Sequence, residues 1–400
     1  MTTEFEIIKS HFKKGSFADC FRQRDTRCLS GLQKNVWMIQ GAKGLSAYYD
    51  LTQRIHKSKN IQNNYTIKHV EKILDSLILD SIGKPNVTQN NILRDAKKQL
   101  HAKKLELFDI SRNIFGISLS KNYRKIGPFI FQKGENAYQH YFRGNPRKFH
   151  DINIKEYISP YVIRFQVQSV TRERALEIAD DAFIALEYLF AFILGRKDSG
   201  REVRILRQTK ENRLFHIIKS GDGQISTGVS RPNPVANQID LNDGFFKNQK
   251  VKRLFSLVSA SGLTKIESRL NKAITWVGKG LLSDSSIESI ISYCSALESM
   301  LIRDSNTIIS PSIVASLSEY CAFLLGKTPS SRKEIISIVI SIYAERSAGT
   351  HGGKIVSDPK IESIALSISR SMVFRLLELY PRKIGSEQEL IEFINKIKYS

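Results

Sequence analysis

A helix-start signal repeats along the last 150 residues: Thr264 with Glu267, Ser285 with Glu288, and Ser331 with Glu334 each set a hydroxyl three residues before a carboxylate. At that spacing the two side chains satisfy backbone N–H groups that a first helical turn leaves free, so each box marks a helix N-terminus. Ser310-Pro311 and Asp358-Pro359 add two N-cap and N1 pairs, since proline lacks the N–H that a first turn cannot use. Five helices are thereby predicted, preceded by a shorter one near 245–258. Apolar residues recur at helical spacing: Ile266, Leu270, Ala273, Ile274 and Val277; Ile287, Ile290, Ile291, Cys294, Leu297 and Leu301; Ile364, Ile368, Met372 and Leu376. Short connections force antiparallel neighbours, which predicts an up-and-down all-α bundle over 260–382 and a further C-terminal helix within 383–400.

Upstream the patterns are mixed. Val70–Ser81 and Asn91–Phe108 have helical periodicity, whereas Ile114–Leu119, Pro128–Gln132 and Tyr161–Val167 are strand-like. A long helix is expected over Thr171–Leu194, and Val203–Arg207 and Leu214–Ile218 flank a polar turn as a hairpin would. The expectation is an α+β N-terminal region over 1–240, divisible near 150, joined through the polar, Pro- and Gly-containing segment 220–244 to the bundle over 245–382.

The charge is just as uneven. The chain has 61 Lys+Arg against 39 Asp+Glu, a net of +22, and residues 1–250 hold 42 and 25 of these, or +17. Such an excess predicts a polyanionic partner, and nucleic acid first. No run of about 18 apolar residues occurs, and Glu4, Glu6, Lys9 and Lys13 interrupt any signal core at the start, so no membrane partner and a cytoplasmic location are expected. Cys20, Cys28, Cys294 and Cys321 lack zinc-site spacing, and all four are expected as reduced thiols.

Two fragments imitate phosphate loops. Gly326-Lys327-Thr328 lacks the upstream glycine and strand, and Gly195–Arg201 lacks a Lys-Ser/Thr pair, so neither could cradle a nucleoside triphosphate. No convergent carboxylates suit a two-metal site, and the tight pair Asp180-Asp181 fits a solvated helix face. No metal and no cofactor is expected.

His11, His56, His69, His101, His140, His150 and His216 are scattered among basic and aromatic residues, whereas His351 stands alone in the bundle, five residues after Arg346. Gly349 between them is a natural C′ residue, whose left-handed turn would bring the imidazole back towards the guanidinium. That pair suits phosphodiester transesterification by a neighbouring 2′-hydroxyl: arginine takes the non-bridging oxygens while imidazole exchanges the proton.

Arg346, Ser347, His351 and Gly352 resemble the Arg-x4-6-His signature of the HEPN superfamily, with Tyr343 at the aromatic position before it. The block Tyr293–Leu301 resembles the Ala-Leu-Glu stretch of an earlier HEPN helix, and Trp276 ahead of it makes the arrangement most similar to the ApeA-like branch found in bacterial antiphage defence. The likeness spans roughly 245–382. It implies an all-α HEPN bundle with Arg346 and His351 catalytic, Glu298, Ser347 and Tyr343 supporting them, and Lys354 against the RNA. It further implies a metal-independent endoribonuclease acting on tRNA or another structured RNA, a homodimer with a composite site, and a phage-derived trigger. Two alternatives remain open: a degenerate bundle that dimerises while the basic region holds nucleic acid without cleaving it, and a scaffold serving another enzyme.

Overall fold

The computed structural model describes residues 2–15, 25–29, 36–81, 84, 86–101, 104–136, 160–195, 203–205, 214–219, 225–230, 239–259, 262–301 and 312–399, with only the backbone at 15, 214–219, 225–230 and 259. Two compact units divide the chain, one of residues 1–110 and 166–179, the other of 111–165 and 180–400.

In the first unit, α1 (Glu4–Ser10) opens on Thr3, whose hydroxyl accepts from the Glu6 N–H while the Glu6 carboxylate accepts from Thr3. Strands β1 (Phe12–Gly15), β2 (Thr26–Cys28) and β3 (Val36–Gln40) form an antiparallel sheet with β3 central. Helices α2 (Ala42–His56), α3 (Lys59–Asn64), α4 (Ile67–Ser81) and α5 (Gln89–His101) enclose a core that includes Ile8, Tyr48, Leu51, Ile55, Leu74, Ala96 and Leu100. Burial forces charges to pair there: Arg27 reaches Asp75 at 3.0 Å and Glu71 at 3.3 Å, and the Tyr48 hydroxyl donates to Asp75 at 2.6 Å. Helix α5 stops at His101 rather than running to Phe108, which lies in a strand.

The second unit is built on a five-stranded sheet in the order β6-β7-β8-β4-β9. Its strands are β4 (Glu106–Phe115), β6 (Tyr123–Ile126), β7 (Phe129–Lys133), β8 (Tyr161–Ser169) and β9 (Arg204–Ile205); β5 (Ile117–Ser118) pairs in parallel with β12 (Ile239–Asp240). Strands β4 and β8 and helix α6 (Arg172–Leu194) pass from one unit to the other. Strand β9 pairs with β4, so the hairpin expected between 203–207 and 214–218 is not formed; β10 (Leu214–Lys219) pairs instead with β11 (Ile225–Ser230).

The second half of α6 explains why the compact units do not part at 220–244. Phe183 meets Phe165 of β8, Phe190 meets both Phe131 of β7 and Phe255, and Phe192 packs on Phe374. Sheet, helix and bundle thus share one aromatic core. Most of 220–244, and the break expected near 150, lie outside the described residues.

Helices α7 (Asp243–Lys247) and α8 (Gln249–Ser259) replace the single short helix expected near 245–258, and the bundle follows as α9 (Lys265–Leu281), α10 (Ser286–Met300), α11 (Ile313–Leu325), α12 (Pro329–His351), α13 (Pro359–Leu379) and α14 (Glu387–Tyr399). Thr264–Glu267 forms the full reciprocal box and Ser285 caps α10 through the Glu288 N–H. Asp358 caps α13 ahead of Pro359. Two starts differ from expectation. Helix α12 begins one turn before Ser331, capped by Thr328 with Pro329 at its first position, because proline favours that site over the helix interior. Helix α11 is capped by Ser312; Ser310 and Pro311 lie outside the described residues. Cys294 and Cys321 are free and buried, but Cys28 is disulfide-bonded, which corrects the expectation of four reduced thiols; Cys20 lies outside the described residues. Among the described residues no helix is long and apolar enough to cross a membrane.

Candidate active site

Helix α12 positions the site. Only Val339, Ile342, Tyr343 and Glu345 of its 23 residues are buried, on the side that packs against α10, α11 and α13. Tyr343 and Arg346, three residues apart, share one side of the helix, and Glu298 on the last turn of α10 lies opposite them. The Glu298 Oε1 accepts from the Tyr343 hydroxyl at 3.1 Å and pairs with Arg346 Nη1 at 3.1 Å, as expected from the resemblance. The guanidinium also lies over the Tyr343 ring, 5.5 Å from its centre. Arginine is thus held by a carboxylate and a ring, and the carboxylate in turn by the Tyr343 hydroxyl. The Arg346 side chain stays 33% exposed, while its Nε is buried without a hydrogen-bond partner among the described residues.

Burial pushes the Tyr343 hydroxyl far above the ordinary phenol range, so it is a fixed donor at neutral pH and not an acid for catalysis. Burial likewise pushes the neighbouring Cys294 thiol up to about 12, which leaves it a packing residue.

Gly349 does not reverse the chain. The helix continues through it to His351, and a Cβ there would overlap the Ile287 side chain of α10, so close helix packing explains the glycine. The left-handed turn falls at Gly353, with φ +67°. Adding bulk should therefore cost stability: Gly349→Val is expected to lower unfolding free energy by about 1–3 kcal/mol. A denaturation midpoint equal to that of the unsubstituted chain would show the packing against Ile287 to be loose.

Because Gly349 is helical, Arg346 and His351 are not folded back onto each other. Five helical residues separate them by ~140° about the axis and ~7.5 Å along it. Arg346 faces Glu298; His351 lies on the exposed face with Lys333, Ser337, Ile340, Ala344 and Ser347. Ser347 touches neither Glu298 nor Arg346 by side-chain hydrogen bond among the described residues. Lys354, expected against the RNA, pairs its ammonium with the Glu345 carboxylate at 2.6 Å and keeps its side chain 41% exposed.

Glu345 carries no signal in the sequence. Its buried carboxylate also accepts the Asp358 N–H at 3.0 Å, and Lys354 holds its pKa below the usual range. The Lys354 N–H returns to the Ala348 carbonyl and the Ser357 N–H donates to Ser286 Oγ, so the connection after His351 is pinned at both ends. Only the reversal at Gly353 brings Glu345 and Lys354 together, and no short-range spacing announces it. Among the described residues no three His, Cys, Asp or Glu side chains cluster to hold a metal ion. No protein-family model, curated protein or solved structure matches the chain.

Proposed function

We propose that the chain is a metal-independent endoribonuclease of HEPN type that cleaves tRNA or another structured RNA, in cytoplasmic antiviral defence with a phage-derived trigger. The observation that supports this most is Arg346 at Arg-x4-His spacing, oriented by Glu298 and Tyr343 and still one-third exposed, with His351 open to solvent on the same helix. In the reaction the 2′-oxygen bonds to phosphorus and the P–O5′ bond breaks. Imidazole takes the 2′-hydroxyl proton, an imidazolium delivers a proton to the leaving 5′-oxygen, and the guanidinium binds the non-bridging oxygens as charge develops. One histidine per site cannot do both jobs at once. The ~140° separation therefore favours a homodimer in which Arg346 of one copy meets His351 of the other across a two-fold axis, both pairs facing one phosphate so that one imidazole takes the proton and the other delivers it.

The same separation supports a second reading, in which the bundle only dimerises and the chain binds nucleic acid without cutting it. Incubating the purified chain with total tRNA in EDTA separates the two. The nuclease yields fragments with 2′,3′-cyclic phosphate and 5′-hydroxyl ends at an undiminished rate; intact tRNA bound tightly by the protein, with or without divalent metal, would favour the second reading.

A further inference from the structure

Helix α5 buries Ile92, Ala96 and Leu100, so its other side faces water. Arg94, Lys97, Lys98 and His101 stand on that side at three- and four-residue spacing, all exposed. They span ~10.5 Å of helix rise, about three steps of a stacked nucleic-acid strand at ~3.4 Å each. The stripe widens at its end. Asn60 Nδ2 lies 3.3 Å from His101 Nδ1, which brings the start of α3 alongside with exposed Lys57 and Lys59, and exposed Lys104 follows.

Several acids of this unit are engaged elsewhere: Glu71 and Asp75 by Arg27, Glu4 by Arg54, and Glu177 by Arg174. Asp95 pairs with Arg94 at 3.2 Å. Lys57, Lys59, Lys97, Lys98 and Lys104 have no acidic partner among the described residues. Like charges three and four residues apart on a helix repel and destabilise it, a cost that a bound polyanion would offset.

We infer that this face of α5, extended by α3, is the surface on which the chain docks the phosphate backbone of its RNA. The inference takes RNA as the partner from the proposed function but does not depend on cleavage. Most of the charge here is lysine ammonium, a point charge that meets phosphate without reading base edges, so the surface chiefly positions RNA.

The test uses the full chain carrying His351→Ala, so that bound RNA is left uncut, and measures tRNA affinity across a salt series. Adding R94Q, K97Q and K98Q together should flatten the slope of log K against log salt by roughly 2 to 2.7, at about 0.7 to 0.9 for each phosphate no longer neutralised. The melting temperature should hold, because all three side chains are exposed. A control triple at exposed Lys272, Arg382 and Lys383, each to Gln, removes equal charge and should leave the slope nearly unchanged. An unchanged slope in the α5 triple, or an equal loss in the control, overturns the assignment. So does loss of binding to anionic phosphatidylserine vesicles with RNA binding intact, which would make the face a lipid surface. If the chain with His351 intact never cleaves RNA, yet the α5 triple still flattens the slope, the surface stands and the nuclease reading falls.

Discussion

His351→Ala should lower the rate of RNA cleavage by about 10²–10⁴, the range set by a positioned general acid or base, while the melting temperature stays unchanged. The imidazole is the last helical residue of α12, exposed, and makes no hydrogen bond among the described residues, so its removal takes nothing from the core. Arg346→Ala should cost about 10²–10³ by removing the partner for transition-state charge. It should also cost some stability, since Glu298 then keeps only the Tyr343 hydroxyl. Arg346→Lys is expected to fail nearly as badly, because an ammonium cannot hold Glu298 and two phosphate oxygens in one planar fork. Cleavage at the original rate by both alanine variants would remove α12 from the chemistry.

RNA affinity should fall by about 10³–10⁵ between roughly 50 and 200 mM salt, as counterions condensed on six to ten contacted phosphates cease to be a driving force. The +17 over residues 1–250 places most of that dependence outside the bundle, which carries +5 over 251–400. Charge neutralisation in the first 250 residues should flatten the salt slope, whereas the same number of substitutions in the bundle should not. A salt slope near zero would mean that base or shape recognition, not phosphate binding, holds the RNA.

Sequence legibility follows how local each cause is. Thr264 with Glu267 is satisfied within one helical turn, and that helix starts where the box says. Thr328, Ser330 and Ser331 are all competent caps in one short run, and only Pro329 decides among them. On α13 the buried line takes in Ala365 and Ser369, whereas Ile364 and Ile368 are half-exposed. A hydrophobic pattern cannot reveal close packing that favours small side chains. Gly349 misleads for the same reason: a glycine at a helix end and a glycine against a neighbouring helix look alike until Ile287 is in place. Strands β1 to β3 are short, and β1 and β2 carry Lys13, Lys14 and Arg27; they are held by pairing to distant residues, so no alternating pattern marks them. Glu298 is visible in the sequence only through the resemblance, and the structure sets it against Arg346.

The composite site is tested most directly by mixing two inactive chains. His351→Ala chains keep Arg346, and Arg346→Ala chains keep His351, so a mixed dimer assembles one complete trans pair and one doubly defective pair. After exchange of subunits at equal concentration, cleavage of tRNA should rise above that of either component while staying well below the unsubstituted rate, since about half the dimers are mixed and each brings one guanidinium and one imidazole to the shared groove. A mixture as inactive as its components, with mixed dimers demonstrated by light scattering or tagged pull-down, would contradict a site shared between copies.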